Sequence, residues 1–112
     1  MAVYMMQIKY TLEAIKDIAE SGSNREGAVR TLIEKCGGKL INFYGLVGQD
    51  HHILLITEFE KLPDYLGMAL SGICGGAIAD WKTVQLYSAA DMMAAGETYR
   101  AAKDSYAPPP NQ

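Results

Sequence analysis

The stretch LVGQDHHILLITEFE, residues 46–60, holds the side chains best suited to chemistry. Asp50, His51 and His52 follow Gly48, and Glu58 lies further along the same apolar run. An imidazole titrates near neutral pH, so it can move a proton or bind a metal. A carboxylate in apolar surroundings is pushed toward its neutral form and can act as acid or base. On a strand, successive side chains point to opposite faces. His52 therefore shares a face with Leu54, Ile56 and Glu58, and His51 with Ile53, Leu55 and Thr57. The two histidines cannot readily chelate one ion from one strand.

The partner of this run is KLINFYGLVG, residues 39–48. A two-residue turn at Gln49-Asp50 would set Tyr44 beside the His51 face. A three-residue turn over 49–51 would set Tyr44 and Leu46 beside the His52 face, because one residue of register exchanges the faces. The longer turn is preferred here, since it brings Tyr44 and Glu58 together. In that reading His52 and Glu58 shuttle a proton and Tyr44 orients a ligand oxygen. Gln7, Asp50, His51, Trp81, Thr83 and Gln85 are the further ligand contacts. Such a mixed set suits a small, partly aromatic organic molecule. Plainer roles stand beside each of these. A histidine at a strand start is commonly solvated or bonded to backbone, and Trp81 reads more readily as an interface anchor than as a ligand stacker.

The residues name no cofactor. A metal ion or haem held by His51 or His52 is one alternative reading, and a non-enzymatic structural or regulatory oligomer is another. Catalytic zinc and facial-triad iron sites need three protein ligands. The chain has no HxH or HExxH spacing, so such a site would draw one histidine from each of two subunits. The glycine-rich SGICGGA lacks the lysine of a phosphate-binding loop.

The elements that must position these residues are legible from periodicity. Strand formers dominate residues 3–10, 39–48, 51–59 and 80–88. After Thr11, Leu12, Ile15, Ile18 and Ala19 recur at helical spacing. Ser23-Asn24-Arg25-Glu26 fits a capping box for a second helix with Val29, Leu32, Ile33 and Cys36 on one face. Pro63-Asp64 opens a helix with a buried stripe of Leu66, Ala69, Leu70 and Ile73. Ser88 to Asp91 starts a last helix over 89–103. The order is β-α-β-β-α-β plus a C-terminal helix. This is the ferredoxin-like α+β pattern: a four-stranded antiparallel sheet with helices on one face. Residues 1–105 form one domain, and 106–112 form a flexible proline-rich tail.

The chain has 112 residues, 49% hydrophobic and 21% charged, with a formal net charge of −3. That balance, without a basic cluster, excludes a phosphate-tracking surface and hence a nucleic-acid partner. No apolar run approaches the ~20 residues of a membrane span, and no signal peptide precedes the first strand. The expected location is the cytoplasm. Cys36 and Cys74 read as small core residues.

Residues 53–56, Ile-Leu-Leu-Ile, do not alternate with polar residues, so both faces of the sheet are apolar. Helices can cover only one. A second copy of the chain, sheet facing sheet, is the simplest cover for the other, which predicts a homodimer.

Four pieces resemble the GYD-domain family: YMMQIKYT at the start, CGGKLINFYGLVG, Glu58 closing the third strand, and GICGGAIADWKTVQLYSAADM. The resemblance implies the dimeric α/β-barrel fold and a small-molecule site between two sheets. The wider barrel group includes monooxygenases, isomerases, dehalogenating enzymes and haem-handling proteins, so the resemblance implies no single reaction. The departure lies at GQDHH. Gly48 matches the family's motif, Asp50 stands at its tyrosine position and His51 at its aspartate position. A one-residue shift would instead give Asp50 the acidic role.

Overall fold

A computed structural model describes residues 1–110. The elements run β1 (Ala2–Tyr10), α1 (Leu12–Ser21), α2 (Arg25–Lys35), β2 (Lys39–Gly45), β3 (Ile53–Phe59), α3 (Leu62–Cys74), β4 (Ile78–Leu86) and α4 (Ala89–Ala102). A short 3-10 turn, Lys103–Ser105, follows. The strands form one antiparallel sheet in the order β2-β3-β1-β4. This is the ferredoxin-like fold of the dimeric α/β-barrel group, with an added C-terminal helix. The expected tail, 106–112, ends in Asn111 and Gln112, which lie outside the described residues.

Alternation along β1 and β3 separates two faces. Tyr4, Met6, Ile8, Tyr10, Leu55, Thr57 and Phe59 turn to the helices and are buried. Val3, Met5, Gln7, Leu54, Ile56 and Glu58 turn to the other side, away from α1, α2 and α3, and are only half-buried. The core is completed by Ile33 of α2 and by Tyr65, Met68 and Ala69 of α3. Tyr65 stacks on Tyr4 with ring centroids 4.4 Å apart and meets the Phe59 ring edge-on at 5.7 Å. Its hydroxyl bonds to Thr83, and burial pushes its pKa up.

Local chemistry sets the element ends. Thr11 caps α1 by accepting from the Ala14 N–H at 3.1 Å. The cap of α2 is Asn24 rather than Ser23, accepting from the Gly27 N–H at 3.2 Å. Glu26 is thereby free to pair with Arg30, 3.0 Å away on the next turn. Gly37 ends α2 at φ +85°, a conformation that favours glycine. Gly38 lets the Phe59 ring come close: a β-carbon there would collide with it. Ser88 and Asp91 form a complete capping box at the start of α4.

Two helix stripes differ from the sequence reading. In α1, Leu12 is 85% exposed and Ala19 is exposed, while Ala14, Ile15 and Ile18 pack on the core. In α3 the buried face is Tyr65, Met68 and Ala69, and Leu66 and Leu70 point outward. An aromatic anchor rotated the helix: Tyr65 fits between Tyr4 and Phe59, which turns the leucines away. Cys74 is exposed rather than buried, and both cysteines are free.

α4 stands apart from this body. None of its residues is buried, and its chief neighbour is the turn that follows it. The long axis of the molecule reaches 60 Å against 31 and 24 Å for the others. Among the described residues no helix is long and apolar enough to cross a membrane.

Candidate functional site

The open sheet face is zoned. Its middle is apolar, with Met5 opposite Ile56 and Val84, and at one end Val3 lies between Leu86 and Glu58, which is itself opposite Lys39. At the other end Gln7 lies opposite Lys82 and Lys9 opposite Asp80. The hairpin between β2 and β3 closes over this polar end. The Leu46 N–H donates to the His52 carbonyl at 2.8 Å, leaving 47–51 as the loop.

That loop delivers Asp50 and His51 to the polar end. Lys9 Nζ bonds to Asp50 Oδ1 at 3.0 Å. This hydrogen bond and the lysine charge hold the Asp50 carboxyl below the usual carboxylate range. His51 Nε2 lies 3.0 Å from Asp80 Oδ2, and its Nδ1 lies 3.8 Å from Asp50 Oδ2. The imidazole is only 3% exposed, whereas the side chains of Asp50 and Asp80 are 73% and 56% exposed. A buried imidazole thus sits behind two solvent-facing carboxylates and orients Asp80 directly. Lys9, Asp50, His51 and Asp80 form one connected ionic cluster that reaches from the β2–β3 loop across β1 to β4.

His51 does not follow the strand alternation that would place it with Ile53 and Leu55. β3 begins only at Ile53, and a loop residue has no pleat to obey. His52 has a different task. Its Nδ1 accepts the Tyr10 backbone N–H at 3.0 Å, and its own backbone N–H donates to the Ile8 carbonyl at 2.8 Å. The ring replaces a strand carbonyl at the end of the β1–β3 ladder. With Nδ1 accepting, the uncharged ring carries its proton on Nε2.

The expected trio of His52, Glu58 and Tyr44 is not brought together. Glu58 lies six positions along the chain from His52, about 20 Å at the usual strand rise. Glu58 sits at the far end of the open face, opposite Val3 and Lys39. Tyr44 lies opposite Leu54 on the open face and is 58% exposed. It reaches that face through a bulge at Ile41, where the β2–β3 register slips. Without the extra residue, Tyr44 would follow Leu40 into the helix side.

Trp81, Thr83 and Gln85 are not on the open face. They pair with Ile8, Met6 and Tyr4, so they turn to the helix side. The residues that β4 gives to the open face are Asp80, Lys82, Val84 and Leu86. Lys9, Lys82 and Asp80 were missed by the sequence reading. Only Asp80 carried a visible signal: an acidic residue opening the expected strand 80–88. His51 and His52 do not share a ligand geometry, since one ring is held by Asp80 and the other by the Tyr10 N–H. Among the described residues no three His, Cys, Asp or Glu side chains are grouped to hold a metal ion.

The GYD domain family matches residues 4–95. The chain belongs to the GYD domain family. The match takes in all four strands and ends inside α4. No curated protein matches this sequence. Among solved structures, this GYD domain is similar to TTHA0845 from Thermus thermophilus. The TM-score is 0.51 at 12% identity, over 80% of this chain and 96% of that one. It is also similar to the transcriptional regulator NMB0573 from Neisseria meningitidis, whose structure is an L-Met complex. There the TM-score is 0.52 at 12% identity, over 79% of this chain and 51% of the regulator. MtbAldR aligns at TM-score 0.51 and 15% identity, over 78% of this chain and 52% of its own. The chain thus spans about half the length of the latter two proteins. These likenesses show a shared fold.

Proposed function

We propose that the protein is a homodimer in which two open sheet faces enclose a small organic molecule. The zoning of that face carries the reading. An apolar field of Val3, Met5, Leu54, Ile56 and Val84 suits a hydrocarbon or aromatic part, and the ionic cluster at its end suits a polar head. Lys9 and Lys82 offer charged donors; Asp80 offers an acceptor that is also a base. His51, held behind Asp80, positions that carboxylate. Proton abstraction by Asp80 from an acidic C–H or O–H of the ligand is the acid–base step the arrangement supports, with Tyr44 and Gln7 as hydrogen-bonding wall residues. This reading moves the proton-handling role from His52 and Glu58 to Asp80.

Two further observations support a second copy. Several half-buried apolar strand residues left wet would forgo roughly 25 cal/mol per Å² of coverable surface. The α4 helix, with Met92, Met93 and Tyr99 53%, 74% and 65% exposed, finds little cover in its own chain. Isolated helices of this length are marginal in water. α4 follows directly on the edge strand β4, and a second copy would give its exposed side chains the cover its own chain does not. Two free cysteines suit a reducing compartment, the cytoplasm.

Native mass spectrometry tests this. The dimer is expected to retain a small-molecule mass from its host, and Asp80→Asn is expected to lose it while staying dimeric. A dimer with no bound mass, and a solid interface beside Lys9 and Asp80, would support a purely structural role instead.

A further inference from the structure

A second concavity lies on the opposite side of the sheet. Between α2, α3 and β1 there is a cavity of about 100 Å³. Its walls are apolar: Met6, Ile8 and Leu55 from the sheet, Val29 and Leu32 from α2, and Met68 from α3. One cationic residue, Arg25, lines it. Arg25 is the first residue of α2. Its Nε is out of contact with solvent and has no hydrogen-bond partner. The neighbouring carboxylate does not serve it, because Glu26 is paired with Arg30. The positive end of the α2 dipole adds to the same preference for an anion.

An orphaned guanidinium nitrogen beside an apolar void specifies an amphipathic anion. Nε and an Nη form a fork that matches the two oxygens of a carboxylate. The void sets the size of the rest. Where a 150 Å³ apolar cavity accommodates benzene, this one has room for about three to five carbons. We propose that this cavity binds a short-chain monocarboxylate, with its carboxylate on Arg25 and its alkyl chain between Met6 and Leu32. The site is separated by the whole sheet from the ionic cluster of the open face, so it stands or falls independently of the dimer.

Titration of the full chain with butyrate, followed by methyl resonances of Val29, Leu32 and Met68, tests the proposal. Saturable shifts at these methyls are expected. Butyramide, which has the same shape without the charge, is expected to bind at least tenfold more weakly. Acetate and octanoate are expected to bind more weakly than butyrate, one too short and the other too long. Arg25→Gln is expected to lose at least tenfold in affinity for butyrate, and Arg25→Lys less. No methyl shift at tens of millimolar butyrate would overturn the proposal. So would equal binding of butyramide or of inorganic phosphate, and both comparisons use the unaltered chain.

Discussion

The two faces of the sheet are built from alternate residues of the same strands, yet they are finished differently. On the helix side, Met6, Leu55, Thr57 and Phe59 are at most 1% exposed, and an aromatic trio of Tyr4, Phe59 and Tyr65 locks α3 in place. On the open side the residues next to them in sequence, Met5, Leu54 and Ile56, are half-covered, and Val84 is 49% exposed. One face is covered within the chain along β1 and β3, and left open at β4, where Trp81 is 40% exposed. The other is apolar through its middle, with the Lys9, Asp50, His51 and Asp80 cluster at one end and Glu58 beside Lys39 at the other. The contrast separates two kinds of surface: the helix side of β1 and β3 holds the fold, and the open side leaves apolar strand residues for a partner or ligand to cover.

Substitutions can break that contrast. Phe59→Ala should cost about 3–5 kcal/mol in urea denaturation, because the ring is fully buried and the site cannot collapse around its loss. Leu54→Ala, measured where the protein is monomeric, should cost far less. Equal costs would mean that the faces do not differ as described. Gly38→Ala comes next, at roughly 1–3 kcal/mol, because its new methyl must displace the Phe59 ring.

The two histidines sharpen the comparison. His52→Ala leaves the Tyr10 N–H without its acceptor and should cost about 1–2 kcal/mol of stability. That loss should appear in denaturation and leave ligand affinity largely unchanged. His51→Ala should do the reverse in part. It frees Asp80 and the loop, so the larger effect should be on ligand affinity, seen as a tenfold or greater loss by calorimetry.

The smallest effect is a pH effect at the arm. The Ser88 backbone N–H and hydroxyl hold the Asp91 carboxyl below the usual carboxylate range. A carboxylate whose pKa is lowered by folding stabilises above its unfolded value, and that contribution is lost as pH falls through the lowered one. α4 should therefore fray at pH below the ordinary aspartate range, visible as a modest loss of helical circular dichroism. Asp91→Asn should show the frayed signal at neutral pH. Unchanged helicity on acidification would mean that other contacts hold the arm.

The strand and helix order was legible because its signals are local: apolar period, caps and glycine stops. The apolar run at 53–56 also revealed an open face before any pairing was known. Three features were hidden because they depend on pairing between distant segments. The bulge at Ile41 decides where Tyr44 points. The β1–β4 register sends Trp81, Thr83 and Gln85 to the helices, and Lys82 and Asp80 to the open face. The loop lets His51 leave the pleat and reach Asp80, 29 residues away in sequence. A histidine beside a strand advertises chemistry, but only the fold tells that one ring serves a carboxylate and the other a backbone amide.

Sedimentation velocity at micromolar concentration, on the unaltered chain and on a Met5→Glu, Val84→Glu variant, tests the central claim most directly. The account predicts a dimer that the two open-face charges convert to a folded monomer. A monomeric unaltered chain, or a dimer indifferent to both charges, would contradict it.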